Sequence, residues 1–276
     1  MRIDSHQHFW KAARGDYHWM SPAASILCRD YLPEDLQPLL AKNEIDKTIL
    51  VQAAQTKAET DFLLELAAQN DFIAGVIGWL DLDSPNFPAE LDLYSKKLKF
   101  LGVRPMLQDI ADDAWILRPR VVDSLKVMAE RDIPFEFLTY TRHLPHVLKV
   151  LDAVPHLRVV VDHISKPEIK NQKLDPWRSL MADVAKHTNV YCKLSGMITE
   201  ADPKAWKVDD LRPYVEHVWK CFGVDRVMYG SDWPVCLLAG SYDKVIIALQ
   251  AILKPHLSTK QEAAVFGGNA ARFYKL

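Results

Sequence analysis

Regular alternation of short apolar runs with longer amphipathic stretches constrains this chain more than any other feature. Residues 2–8, 47–52, 73–80, 100–104, 134–139, 158–163, 190–195 and 226–232 read as strands: each is short, apolar and bounded by turn-forming or polar residues. Between them, residues 34–43, 60–70, 121–131, 144–154, 177–187 and 211–222 repeat apolar positions near helical spacing. Strands joined through helices lie parallel, so eight such units predict an α/β fold, a closed (β/α)8 barrel of the TIM type. An open doubly wound sheet usually has fewer strands and a glycine-rich phosphate turn after the first, and this sequence lacks that turn. With 276 residues, 49% of them apolar, and no linker, repeat or composition break, residues 1–276 are expected to form a single barrel domain.

The formal charge of -2 is near balance, and no basic stripe stands out. Nucleic acid and anionic membrane are therefore not expected as partners, and a small-molecule ligand is. Cys28, Cys192, Cys221 and Cys236 form no CxxC pair, which argues against a disulfide framework or a thiolate zinc site and fits a reducing compartment. The N-terminal residues carry no leader-like pattern and no stretch has bilayer length, so a soluble cytoplasmic protein is expected. Nothing in the sequence assigns an oligomeric state.

Enzymes on this barrel build their sites at the carboxyl ends of the strands, and the polar residues there form a coherent set. His6 and His8 close the first strand two positions apart, so alternation sends both rings to one face. Such a pair alone is more often decoration than a ligand pair; the other strand ends strengthen it. Gln52 closes the second strand, Trp79 lies in the third, Arg104 ends the fourth and Glu136 sits in the fifth. His163 ends the sixth, Lys193 lies in the seventh and Asp232 ends the eighth. An apolar strand has no packing reason to finish in histidine or aspartate. Brought together, His6, His8, His163 and Asp232 would suit one divalent ion, zinc first and manganese second, with a position left for water.

The His6-Gln-His8 opening, the His163 strand end and Gly230-Ser-Asp232-Trp-Pro234 together resemble the amidohydrolase superfamily. Within it the chain is most similar to the sugar-lactonase branch of L-fuconolactonases and L-rhamnonolactonases, related to the 2-pyrone-4,6-dicarboxylate lactonases. The resemblance runs from the first strand to the terminal Gly267-Gly-Asn-Ala-Ala-Arg-Phe-Tyr274 segment. It implies an amidohydrolase-like barrel in which His6, His8, His163 and Asp232 bind or face the metal. The further histidine and bridging lysine or glutamate of two-metal members are not placed here, so it implies one ion at most. The branch also includes lactonases thought to need none.

The activity so implied is hydrolysis of a sugar-acid lactone such as L-fuconolactone. In that chemistry Asp232 would take a proton from the attacking water and return it to the ring oxygen, and His163 would ligate or polarise the carbonyl. Arg104 or Lys193 would face the oxyanion or the nascent carboxylate. Dicarboxylate substrates would be expected to call for several arginines, and only Arg104 and Arg142 stand near these strand ends, which favours a neutral polyhydroxylated substrate. Trp10, Trp79 and Trp233 could offer aromatic faces to a sugar, with Gln52 and Glu136 hydrogen-bonding to it. Each assignment has a plainer competitor: a helix cap for Asp232, a buried hydrogen-bonded ring for His163, a rim ion pair for Arg104. Snorkelling for Lys193 and ordinary barrel packing for Gln52, Glu136 and the tryptophans complete that set. His143 and His146 are expected in a solvated turn, and His18, His156, His187, His217 and His256 at the surface. A metal-dependent decarboxylase of a small carboxylated substrate and a non-catalytic sugar-binding barrel stay open beside the lactonase.

Overall fold

The computed structural model describes the backbone of residues 1–276 and every side chain except that of Pro22. Eight strands stand where the apolar runs predict them: β1 (Ile3–Gln7), β2 (Lys47–Val51), β3 (Ile73–Gly78), β4 (Phe100–Val103), β5 (Phe135–Phe137), β6 (Val159–Val161), β7 (Val190–Leu194) and β8 (Val227–Tyr229). They pair in parallel, each with the next, from β1 to β8. Asp232 N donates to the His6 carbonyl at 2.8 Å and His8 N to the Trp233 carbonyl at 2.7 Å, so the segment after β8 returns to β1 and closes the barrel. Most strands are shorter than the runs predict, so Gln52, Arg104, His163 and Asp232 stand just beyond their strands, while His6, Glu136 and Lys193 lie within theirs.

Helices cover the outside: α1 (Pro33–Lys42), α2 (Lys57–Gln69), α3 (Phe87–Tyr94), α4 (Pro119–Glu130), α5 (Leu144–Ala153), α6 (Trp177–Ala185), the short α7 (Met197–Glu200), α8 (Val208–Phe222) and α9 (Tyr242–Leu253). Periodicity does not single out α3 or α9, for physical reasons. α3 is eight residues long, and α9 is apolar nearly all round, with Ile246 buried beside an exposed Ile247. Two short C-terminal helices follow, α10 (Thr259–Ala263) and α11 (Asn269–Tyr274). Among the described residues no helix is long and apolar enough to cross a membrane, and the four cysteines are free thiols.

The barrel interior is a core of its own. Ile3, Ile49, Val51, Ile77, Val160 and Met228 pack inside it, and Ala270, Phe273 and Tyr274 of α11 seal its lower end. Burying each such aliphatic side chain contributes about 1.5–3 kcal/mol. One irregularity in β1 matters for the site. Asp4 stands opposite Thr48 but Gln7 opposite Leu50, so β1 carries one residue more than β2 over that stretch. A bulge of this kind re-aims side chains, and a strand that begins with Ile3 inside ends with His6 and His8 inside.

Candidate active site

Three local devices bring the strand-end groups together. The first is the closing seam, whose two hydrogen bonds fix Asp232 against His6 and His8. The second is a turn after β6 in which His163, Ile164, Ser165 and Lys166 have φ of 52°, 48°, 60° and 45°. Left-handed backbone costs a residue bearing a Cβ roughly 1–2 kcal/mol, and more for a β-branched one such as Ile164. Trp177 Nε1 donating to the Ile164 carbonyl at 2.6 Å and the Thr139–Ser165 hydroxyl pair at 2.6 Å hold the turn in place. The third device is Gly196, at φ 63°, where a Cβ would lie 2.5 Å from His163 Nδ1; only glycine leaves room for that ring.

The rings of His6 and His8 have centroids 4.9 Å apart, and those of His6 and His163 are 4.4 Å apart. Asp232 Oδ1 faces all three: His8 Nε2 at 3.3 Å, His163 Nε2 at 3.8 Å and His6 Nε2 at 3.9 Å. Burial holds the His6 and His163 rings well below the usual histidine range, in the neutral, ligating form. Burial alone would push the Asp232 carboxyl up, but the neighbouring His163 and His8 rings and Lys166 outweigh it and hold the group below its ordinary value.

His8 supplies the test of whether a cation fits. Its Nδ1 lies 2.8 Å from the Val51 carbonyl, which only accepts, so Nδ1 carries the proton. Its Nε2 lone pair then faces a carboxylate oxygen at 3.3 Å, two acceptors in contact unless a proton or cation lies between them. His6, His8 and Asp232 offer ligand atoms within 4.8 Å of one another, and so do His6, Asp162 and His163. A nitrogen-rich set with one carboxylate suits zinc.

Beneath these groups lies a buried ionic lattice. Arg104 Nη1 donates to Asp162 Oδ2 at 3.0 Å and approaches His6 Nε2 at 3.3 Å, while Nη2 donates to the Gln52 carbonyl. Lys193 Nζ donates to Glu136 Oε2 at 2.6 Å and lies 3.2 Å from both Asp162 Oδ1 and His6 Nδ1. Tyr274, reaching up from α11, donates to the other Glu136 oxygen. Burial pushes the Asp162 carboxyl up, but Lys193, His6 and Arg104 together hold it well below the usual carboxylate range.

A cavity of about 220 Å³ opens above His8, Arg104, His163 and Asp232. Trp10, its indole N–H bound to the Arg29 carbonyl at 2.8 Å, and Trp19 form part of its wall, set edge to face at 5.1 Å. The structure thus brings His6, His8, Arg104, His163, Asp232 and Trp10 to one place. It corrects the substrate-contact expectation for Gln52, Glu136 and Lys193, which are wholly buried under the cavity floor because their partners are Arg104, Asp162 and Tyr274. Trp79 is separated too; it lines a neighbouring depression with Trp115 and Asp81. Trp233 packs edge to face on Phe9 and Tyr31. His143 is not solvated: it is buried, accepting from Tyr140 N at 3.0 Å and facing Asp113 at 3.0 Å, so it closes its turn. Sequence reasoning passed over Asp162 and two residues of the cavity wall, Gln108 and Lys166. Counting alternately from the inward Val160 would have put Asp162 inside the barrel.

The model of the family described as Amidohydrolase matches residues 3–276. The chain belongs to the amidohydrolase family. This amidohydrolase is 41% identical to an L-fucono-1,5-lactonase of Burkholderia ambifaria over 280 residues, covering 100% of this chain and 96% of that one. It is 38% identical to an L-fucono-1,5-lactonase of Burkholderia multivorans over 290 residues, with the same two coverages. A crystal structure of an amidohydrolase from Burkholderia multivorans with bound zinc superposes with a TM-score of 0.95 at 38% identity, covering 100% of this chain and 99% of that one.

Proposed function

We propose that this amidohydrolase opens a sugar-acid 1,5-lactone, L-fucono-1,5-lactone or a close aldonolactone, by attack of water on the lactone carbonyl. Two relatives, 41% and 38% identical and matched across the whole of this chain, are L-fucono-1,5-lactonases. The observation that carries the reading on this chain is the Asp232 carboxylate facing the His8, His163 and His6 rings at 3.3–3.9 Å on the floor of a cavity. Asp232 accepts one proton from water as the water oxygen bonds to the carbonyl carbon and the carbonyl pair moves onto its oxygen. That pair then returns, the bond to the ring oxygen breaks, and the proton passes from Asp232 to the ring oxygen. The second water proton is lost as the new acid ionises. The alternatives of a decarboxylase and a non-catalytic sugar-binding barrel gain no support from these two relatives.

His6, His8, His163 and Asp232 would hold the divalent ion, zinc or manganese. When bound, such an ion polarises the carbonyl and lowers the pKa of water. Arg104, through Asp162 and His6, keeps the ring set in register, and Trp10 and Trp19 shield the cavity from bulk water. We expect zinc to raise the melting temperature of chelator-treated protein and His8→Ala to abolish that rise; an unchanged melting temperature in the wild type would remove the ion from the account.

A pH-indicator screen of aldonolactones tests the function itself. Acid release from L-fucono-1,5-lactone or a stereochemical neighbour, well above the spontaneous rate, is expected. No acid from any member of the panel would overturn the reading.

A further inference from the structure

We propose that Lys166, so far named only as a charge acting on Asp232, is the cation that meets the substrate. It holds the charge on the carbonyl oxygen as water adds, and the carboxylate once the ring has opened. The inference rests on the lactonase reading above.

Three cations approach the site, and two of them are turned inward. Lys193 is wholly buried, its ammonium shared among Glu136, Asp162 and His6 at 2.6–3.2 Å. Arg104 spends Nη1 on Asp162 and His6 and one N–H of Nη2 on the Gln52 carbonyl, and its buried Nε has no partner. Lys166 lines the cavity beside His8, His163 and Asp232, as Arg104 does, but its ammonium makes no such inward bonds. Among the described residues, the carboxylate within ion-pair reach of its Nζ is Glu200, at 3.8 Å, beyond hydrogen-bond length. Its N–H donors are therefore available to a ligand.

The backbone points the same way. Four consecutive left-handed residues without a glycine, one of them β-branched, make a strained segment, and strain of this kind gathers at functional sites. This turn carries His163 at its first position and Lys166 at its fourth, and both residues line one cavity. Without such a reversal, residues this close to the end of β6 would not both face the pocket mouth.

The chemistry sets what Lys166 contributes. The intact lactone is neutral; its carbonyl oxygen becomes negative only as the water oxygen bonds to carbon, and in the product the charge is shared by a carboxylate. An ammonium beside that oxygen, with Leu27, Leu138 and Val235 on the cavity wall limiting water, interacts more strongly with the transition state than with the substrate. Its loss falls on kcat and on affinity for the anionic product, not on KM.

The test compares wild type with Lys166→Met and Lys166→Arg on a 1,5-aldonolactone. It also measures inhibition by the product aldonate and by the neutral pyranose of the same sugar. Lys166→Met is expected to lower kcat about 100-fold with KM changed by less than about threefold. Aldonate inhibition should weaken by about tenfold or more, while neutral-sugar inhibition, which reports an intact pocket, stays within about twofold. Lys166→Arg, keeping the charge, should recover part of both losses. Unchanged kcat and aldonate inhibition in Lys166→Met, or equal weakening of aldonate and neutral sugar, would overturn the proposal. Should the wild type open no lactone, the lactonase reading fails by itself. Lys166 is then judged by the melting shift that the aldonate produces: loss of the shift in Lys166→Met upholds the anion contact, and equal shifts refute it.

Discussion

Asp232→Asn is expected to lower kcat for a 1,5-aldonolactone by a factor on the order of 10³ while changing KM little. Asparagine keeps the shape and one acceptor oxygen but cannot take the proton of the attacking water. The seam hydrogen bonds that place residue 232 come from its backbone and that of Trp233, so the variant should keep the native geometry. The wild-type pH profile adds an independent check. Burial works against ionisation of Asp232, yet His163, His8 and Lys166 hold the carboxyl below its ordinary value of 3.8. The group is a base only when deprotonated, so kcat should hold its plateau on acidification and fall only at or below that value. A variant retaining more than about a tenth of wild-type kcat, or an acid limb near pH 6, would take the proton transfer away from Asp232.

Lys193→Met is expected to be the most damaging substitution for stability, by about 3–5 kcal/mol at pH 8. Methionine fills similar space, but Glu136 and Asp162 then stand buried without the ammonium that both face. The sign of the pH dependence follows from Glu136. Burial, reinforced by Asp162 and opposed by Lys193 and Tyr274, pushes its carboxyl up to about 7 from an ordinary 4.5. Between those values the folded protein binds more protons than the unfolded chain, so this group costs stability progressively as pH rises through the window. Without Lys193 the window widens upward, and the deficit of the variant should be larger at pH 8 than at pH 5.5. Urea unfolding at the two pH values measures it; equal deficits, or a loss under about 1 kcal/mol at pH 8, would show that the lattice does not depend on Lys193.

The barrel was legible because its signal is repeated: eight apolar runs mark eight strands, and short connections leave few ways to join them. Of the five helices that escaped notice, α7, α10 and α11 are six residues or shorter, and α3 and α9 lack the periodic contrast on which the reading depends. His6, His8, His163, Arg104 and Asp232 were legible as polar groups interrupting apolar runs. Depth was not. Alternation assigns Glu136 and Lys193 to the inside of the barrel but does not say whether they reach the mouth, and only their partners, Tyr274 from the far end of the chain among them, place them lower. Even the agreement on His6 and His8 depended on a bulge, since strict alternation from the inward Ile3 would have turned both rings toward the helices. Lys166 was invisible for a related reason: it reaches the cavity through a left-handed turn, and no local propensity predicts four such residues without glycine.

A single turnover in ¹⁸O-labelled water, with enzyme in excess over L-fucono-1,5-lactone or the best substrate of the panel, tests the central claim most directly. Attack of water on the carbonyl predicts an aldonate with one ¹⁸O in its carboxylate and none at the hydroxyl released from the ring, formed at the enzymatic rate and not by Asp232→Asn. Label at that hydroxyl, or an unlabelled product pointing to a covalent intermediate on the protein, would contradict it.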